Sequence, residues 1–213
     1  MPLQNRASPD GQLHVDAARG LFTGNRGIIH DPDNKTLLRR RWSTAAWICC
    51  SLEWKGRRRE PWGRNGPNQS AGWTELFFLD EVTALAAGHR PCHTCRCSDA
   101  LRFHEAFCAA NGEHDAQAKN KILHKERWHS SKELAAKQEF ECLGELPDGA
   151  IVEIDALFYA IKNQRLLHWS FNRYLVPQPF EKFCDASLRI VTPNSIIMTL
   201  RQGYQPVWHP SAS

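Results

Sequence analysis

Apolar and polar positions along the chain alternate in short runs rather than long amphipathic stretches. In residues 1–46, Gly20, Gly24, Gly27 and the turn cluster Asp31-Pro32-Asp33-Asn34 interrupt every candidate element, so residues 1–44 read as a loop-rich segment packed on the core. Residues 45–54, AAWICCSLEW, have the aromatic and β-branched character of a strand. Its alternation places Cys49, Ser51 and Glu53 on one face and Ile48, Cys50, Leu52 and Trp54 on the other. A polar loop rich in glycine and proline follows. A second strand over residues 75–79 leads into Asp80 as a helix N-cap, the helical run EVTALAA, and Gly88 as its C-terminal stop.

Downstream, a helix is predicted over 98–110, with Ala100, Phe103, Phe107 and Ala110 on one face and Asn111-Gly112 as its end. Helical periodicity returns over 119–128 and again over 131–142, where lysine and glutamate alternate as on a solvated surface. The texture then changes. LPDGAIVEIDALFYAI, a turn at Lys162-Asn163-Gln164, and RLLHWSF read as a hairpin, followed by the strand SLRIVT and a helix over 193–201. These elements predict an α+β protein with segments 1–44, 45–142 and 143–213, compatible with one continuous domain.

The 213 residues are ordinary in composition, 42% hydrophobic and 23% charged, which excludes a disordered, collagen-like or coiled-coil chain. No run approaches the ~20 apolar residues of a membrane helix. The N-terminal MPLQNRASPDGQ lacks the apolar region of a signal peptide. A cytoplasmic, monomeric protein is therefore expected, and in a reducing compartment clustered cysteines read first as metal ligands. Five of the eight cysteines fall between Cys49 and Cys97. Cys92 and Cys95 form a C-x2-C pair whose spacing lets two thiolates meet one Zn2+ at about 2.3 Å.

The stretch LFFLDEVTALAAGHRPCHTCRCSD, residues 76–99, resembles the second half of the zinc-binding domain of the Ada DNA-repair family, and WICCSLEW resembles the strand that supplies that domain's first ligand. The resemblance implies that Cys50, Cys92 and Cys95 bind Zn2+. It departs at the family's second cysteine, where this chain has Trp54. The fourth position is left to Cys97, Cys49, His93, His104 or a water. The family also implies DNA as partner and, through one of its cysteines, methyl-group acceptance, here by Cys50. The fold expected is thus a small zinc-stabilised α/β unit with a β-rich C-terminal extension.

The net charge of +4 conceals a local excess. Residues 39–64 hold Arg39, Arg40, Arg41, Lys55, Arg57, Arg58, Arg59 and Arg64 against Glu53 and Glu60. With Trp42, Trp47, Trp54 and Trp62 interleaved, this pattern suits phosphate contacts beside aromatic rings that stack on bases. Trp47 reads as core and Trp62, between Pro61 and Gly63, as exposed. The bend GNRGIIHD sets Asn25, Arg26, His30 and Asp31 near flexible backbone.

The terminal WHPS is similar to a loop of the uracil-DNA glycosylases in which a histidine stabilises the departing base and a serine contacts phosphate. That similarity implies catalytic roles for His209, with Asn25, His30 and Asp31, and DNA contacts for Trp208 and Ser211. The first functional expectation is an enzyme acting on modified or damaged DNA, most concretely a base-excising hydrolase working on a flipped base, in repair or phage defence. The alternatives are a zinc-stabilised DNA-binding module without chemistry, and a methyl acceptor.

Overall fold

The computed structural model describes residues 2–56, 59–132, 140–183 and 188–213, and its architecture is α+β. The first part of the chain supplies β1 (Gln4–Ala7), β2 (Leu13–Val15), β3 (Phe22–Asn25), β4 (His30–Asp31), β5 (Thr36–Leu37), β6 (Ile48–Ser51), β7 (Leu76–Phe78), helix α1 (Glu81–Ala86) and β8 (Arg90–Pro91). Six of these strands form a mixed sheet in the order β2-β1-β7-β3-β6-β8, parallel at β1/β7 and β6/β8. Strands β4 and β5 form a separate ribbon.

The loop-rich reading of residues 1–46 is corrected here, because three of the six sheet strands come from that segment. The glycines that read as breakers mark close approach between backbones. A Cβ at Gly24 would lie 2.3 Å from the Ile48 carbonyl oxygen, and one at Gly20 would lie 1.6 Å from that of Phe78. Only glycine lets the chain pass so near its sheet neighbours.

Helices α2 (Cys97–Asn111) and α3 (Ala116–Lys132) follow. The predicted apolar face of α2 buries Ala100, Phe103 and Phe107, and Gly112 ends the helix in the left-handed conformation. Of the helix expected over 131–142, residues 133–139 lie outside the described residues, and Phe140–Glu145 is a 3-10 turn.

A second, five-stranded antiparallel sheet then forms from β9 (Ile151–Ile154), β10 (Leu157–Lys162), β11 (Arg165–His168), β12 (Gln178–Pro179) and β13 (Leu188–Ile190), in the order β12-β11-β10-β9-β13. The single hairpin expected over 147–171 is two hairpins. Asp155 and Ala156, both with positive φ, fold a two-residue turn inside what reads as one apolar strand, and Asn163-Gln164 makes the second turn. Helix α4 (Asn194–Arg201) packs across α2.

All six residues of α1 are buried. Val82 and Ala86 meet the second sheet at Ile151, Ala160 and Trp169, while Ala84 and Ala87 meet the first sheet at Leu76 and Phe78. Leu85 joins Phe103, Phe107, Leu123, Ile196 and Leu200 between the helices. A helix buried on every side lies at the centre of the fold.

Polar groups at its N-terminus lock the halves together. Asp80 caps α1 by accepting from the Thr83 N–H at 2.9 Å, and its second oxygen accepts from the His209 N–H at 3.0 Å. Glu81 accepts from the Tyr204 hydroxyl at 2.6 Å, from Arg96 at 2.7 Å and from the Val207 N–H at 2.9 Å. Burial disfavours the Arg96 charge, and the hydrogen bond and negative charge of Glu81 reverse that effect and raise its pKa. Trp169 donates its indole N–H to Thr83 at 2.9 Å.

Glu81→Ala strips Arg96 of its fully buried partner and leaves two further donors unsatisfied. It is expected to lower the unfolding free energy by about 3 kcal/mol or more, read by urea denaturation.

Candidate functional site

Strand β6 separates its adjacent cysteines as the alternation requires. Cys49 turns into the first sheet's core against Ala7, Phe22 and Leu76, and its thiol accepts from Arg96 at 3.5 Å. Cys50 faces the opposite way. Parallel pairing sets Cys49 against Pro91, and the Cys92 N–H donates to the Cys49 carbonyl at 2.9 Å, so Cys92 arrives beside Cys50. The Arg96 N–H then bonds back to the Cys92 carbonyl at 2.9 Å, and this turn swings Cys95 toward the same point before α2 begins.

The sulfurs of Cys50, Cys92 and Cys95 lie within 4.8 Å of one another, and this cluster could hold a metal ion. Ligands about 2.3 Å from a tetrahedral centre stand about 3.8 Å apart, so the spacing is compatible with closure on an ion. Cys50 and Cys92 are buried and Cys95 is partly open.

The cluster distributes charge unevenly. Cys50 donates toward the other two thiols, and together with burial this raises its own pKa. The same hydrogen bond lowers Cys92, which also accepts from the N–H groups of Cys95 and Thr94. Cys95 is lowered by Cys50 and by Ser51. Two thiols poised to ionise beside a third are a donor set suited to a cation.

None of the other fourth-ligand candidates joins this set among the described residues. Cys97 is exposed with its sulfur 4.0 Å from His93 Nδ1, and His104 lies against Lys119 and, at 3.6 Å, Cys108.

The four residues assigned to base excision each make local contacts. His30 is buried, 2.7 Å from the Thr74 hydroxyl and stacked on Trp62. Asp31 closes a local turn by accepting from the N–H groups of Asp33 and Asn34, and Asn25 accepts from the Gly27 N–H. His209 belongs to the C-terminal turn, where its Nδ1 accepts from the Ser211 N–H at 3.2 Å while its own N–H is held by Asp80. Ser211 in turn accepts from the Tyr174 N–H at 2.8 Å, and Trp208 packs on Tyr174 with Lys162 over its ring. The terminal tripeptide thus anchors the tail to α1 and the second sheet.

The basic stripe divides in the same way. Arg59 pairs with Glu75 and lies over the Trp73 ring, and Arg64 pairs with Asp33. Lys55 lies over Trp54, and Arg57 and Arg58 fall outside the described residues. Trp62, expected at the surface, is a correction. It is 1% exposed, with its indole N–H donated to the Glu75 carbonyl at 3.2 Å. Its flanking proline and glycine bend the loop inward and drive the ring under His30. Arg39, Arg40 and Arg41 are exposed, and none forms an ion pair with a carboxylate among the described residues. Trp42 follows them directly, half-buried and in ring contact with Trp47 and His124.

Sequence reasoning missed a second cationic group. Arg26 and Arg127 both lie over the ring of Trp47, at 4.0 and 4.3 Å. The bend around Gly24 and Gly27 flagged Arg26, whereas Arg127 sits in a charged helical run that reads as solvated and gives no such signal. Searches of family models, curated proteins and solved structures find no match to this chain. No helix among the described residues is long and apolar enough to cross a membrane.

The purified chain is expected to carry a thiophilic metal that Cys92→Ser removes, measured by elemental mass spectrometry. Cys49→Ser, on the opposite face of β6, retains it. Loss of metal from both variants would show that the site depends on β6 as a whole rather than on the named sulfurs.

Proposed function

We propose that the protein is a DNA-binding protein whose Cys50, Cys92 and Cys95 hold a structural Zn2+. The observation that carries the DNA reading is the exposed series Arg39, Arg40 and Arg41, not paired with a carboxylate among the described residues and running into Trp42, while Arg59 and Arg64 of the same stripe are consumed in ion pairs. Exposed guanidiniums beside an aromatic ring suit phosphate contacts with a base nearby. The resemblance of residues 76–99 to the Ada-type zinc domain favours DNA over RNA. Thiolate donors favour Zn2+ over Mg2+ or Ca2+, which take oxygen ligands. Zn2+ bound there would tie β6 to the turn before α2 and add folding free energy.

Base excision by Asn25, His30, Asp31 and His209 is not part of this proposal, since these groups serve separate local contacts. Methyl acceptance by Cys50 is also not part of this proposal, because that sulfur is buried.

Labelled duplex and single-stranded DNA should bind with strong salt dependence. Arg39→Gln with Arg40→Gln is expected to weaken binding and reduce the slope of log affinity against log salt by about two. Equal affinity of variant and parent across the salt series would refute the DNA-binding surface.

Removing the metal by chelation is expected to lower the melting temperature. Restoration by Zn2+ but not by Mg2+ would support the structural assignment, and an unchanged melting curve after verified metal loss would reject it.

A further inference from the structure

A cavity of about 330 Å3 opens where the bend at Arg26, the Arg41-Trp42 segment, the end of α1, α3 and the end of β13 meet. Its volume is at the small end of the range for ligand pockets, about 300–1,000 Å3. Arg26, Arg41, Arg127 and Arg189 line it, and Asp10 is the carboxylate among its lining residues. Trp42 and Trp47 give it an aromatic wall.

Arg26 makes the cavity unusual. The side chain is 2% exposed, and no carboxylate among the described residues pairs with it. Its Nη1 donates to the Gly11 carbonyl at 2.8 Å and its Nε to His89 at 3.4 Å, while Nη2 has no hydrogen-bond partner. Burial and the nearby Arg41 bring its pKa down to about 9 against an opposing pull from Asp10. Arg127, whose guanidinium donates to the carbonyls of Gly88 and Ala45, is brought to about 9 by burial and by Arg26.

Asp10 does little to neutralise this charge. It accepts from the Ser8 hydroxyl and the Gln12 N–H, and its neighbour Arg189 is already paired with Glu153. A buried guanidinium such as that of Arg26, with one nitrogen unbonded and no carboxylate paired to it among the described residues, is costly unless something anionic completes the site.

We propose that this cavity binds a nucleoside 5′-monophosphate unit, with its phosphate against Arg26 and Arg41 and its base against Trp42. Phosphate matches the planar donor array of arginine, and a base ring matches the indole wall. The unit has two sources, a free nucleotide or one nucleotide of a DNA strand. The strand-borne case rests on the DNA-binding reading above, because Arg39 and Arg40 adjoin Arg41 at the cavity mouth. Filling of the cavity by a free nucleotide does not.

Calorimetric titration with deoxynucleoside monophosphates tests the site, with deoxyadenosine and inorganic phosphate as part-ligands. The monophosphate is expected to bind at least about tenfold more tightly than either part, and Trp42→Ala to weaken it by about tenfold. Arg41→Gln, at an exposed position, is expected to weaken the monophosphate and inorganic phosphate together, which keeps the test open if Arg26 variants fail to fold. Circular dichroism and metal content verify the fold of each variant.

The double substitution Arg39→Gln with Arg40→Gln should weaken DNA binding far more than monophosphate binding, because neither residue lines the cavity, so loss of DNA binding and loss of the cavity are read separately. Competition between the monophosphate and a bound strand assigns the strand as source, and simultaneous binding assigns the free nucleotide. Absence of saturable monophosphate binding at millimolar concentration overturns the proposal. So does equal affinity for inorganic phosphate alone, or full binding by Trp42→Ala.

Discussion

Asp80 and Glu81 are adjacent carboxylates removed from water at the start of the central helix, and such groups are tolerated only where hydrogen bonds and a cation compensate them. The compensating donors come from every part of the molecule: Thr83 in the helix itself, Arg96 at the edge of the cysteine turn, and Tyr204, Val207 and His209 in the C-terminal tail. Burial of these two side chains therefore fixes where the tail, the cysteine turn and the second sheet must sit. Trp169 reaches the same point through Thr83. The apolar residues of α1 supply most of the driving force for collapse, whereas this polar node selects one arrangement of the collapsed parts.

Arg96 links that node to the cysteine cluster. It follows Cys95 directly, opens α2, and binds Glu81, Asp99 and the thiol of Cys49. The sulfurs of Cys50, Cys92 and Cys95 are thus held by a strand on one side and by a charge-locked turn on the other. Such preorganisation lowers the ordering cost of closing on an ion. The thiol cluster and the carboxylate node hold opposite ends of one short segment, residues 80–96.

The cationic cavity carries the opposite electrostatic logic. At α1's N-terminus Glu81 is met by Arg96, Tyr204 and the Val207 N–H, while beyond its C-terminal end the buried Arg26 has no carboxylate paired to it among the described residues and shares the Trp47 indole with Arg127. The helix dipole places partial negative charge at that end, which offsets the buried charge only in part. The contrast between a satisfied polar node and an under-compensated one, at opposite ends of the same helix, is what singles out the cavity as a place for a ligand.

Local rules made much of this legible in the chain. The cap at Asp80, the stop at Gly88, the buried face of α2, the opposite orientation of Cys49 and Cys50, and the C-x2-C turn each depend on a few neighbouring residues, so spacing alone determined them. Asp155-Ala156 was harder, because Asp155 suits a turn but Ala156 stands where glycine is usual, and strand pairing on both sides enforces its positive φ. Gly20 and Gly24 read as breakers because their reason lies in contacts with Phe78 and Ile48, remote in sequence.

Trp62 and the terminal His-Pro-Ser kept their residue types but acquired structural roles, since packing and tail docking decide exposure. Which arginines remain unpaired was decided the same way, by carboxylates at Asp33 and Glu75 arriving from other segments. Sequence determined the helices and the cysteine spacing through short-range geometry, while strands β1 to β3 and the Asp155-Ala156 turn depended on pairing with distant segments. The tertiary structure alone decided the cavity, because Arg26, Trp47, Arg127 and Arg189 are brought together by sheet order and helix packing that no local pattern encodes.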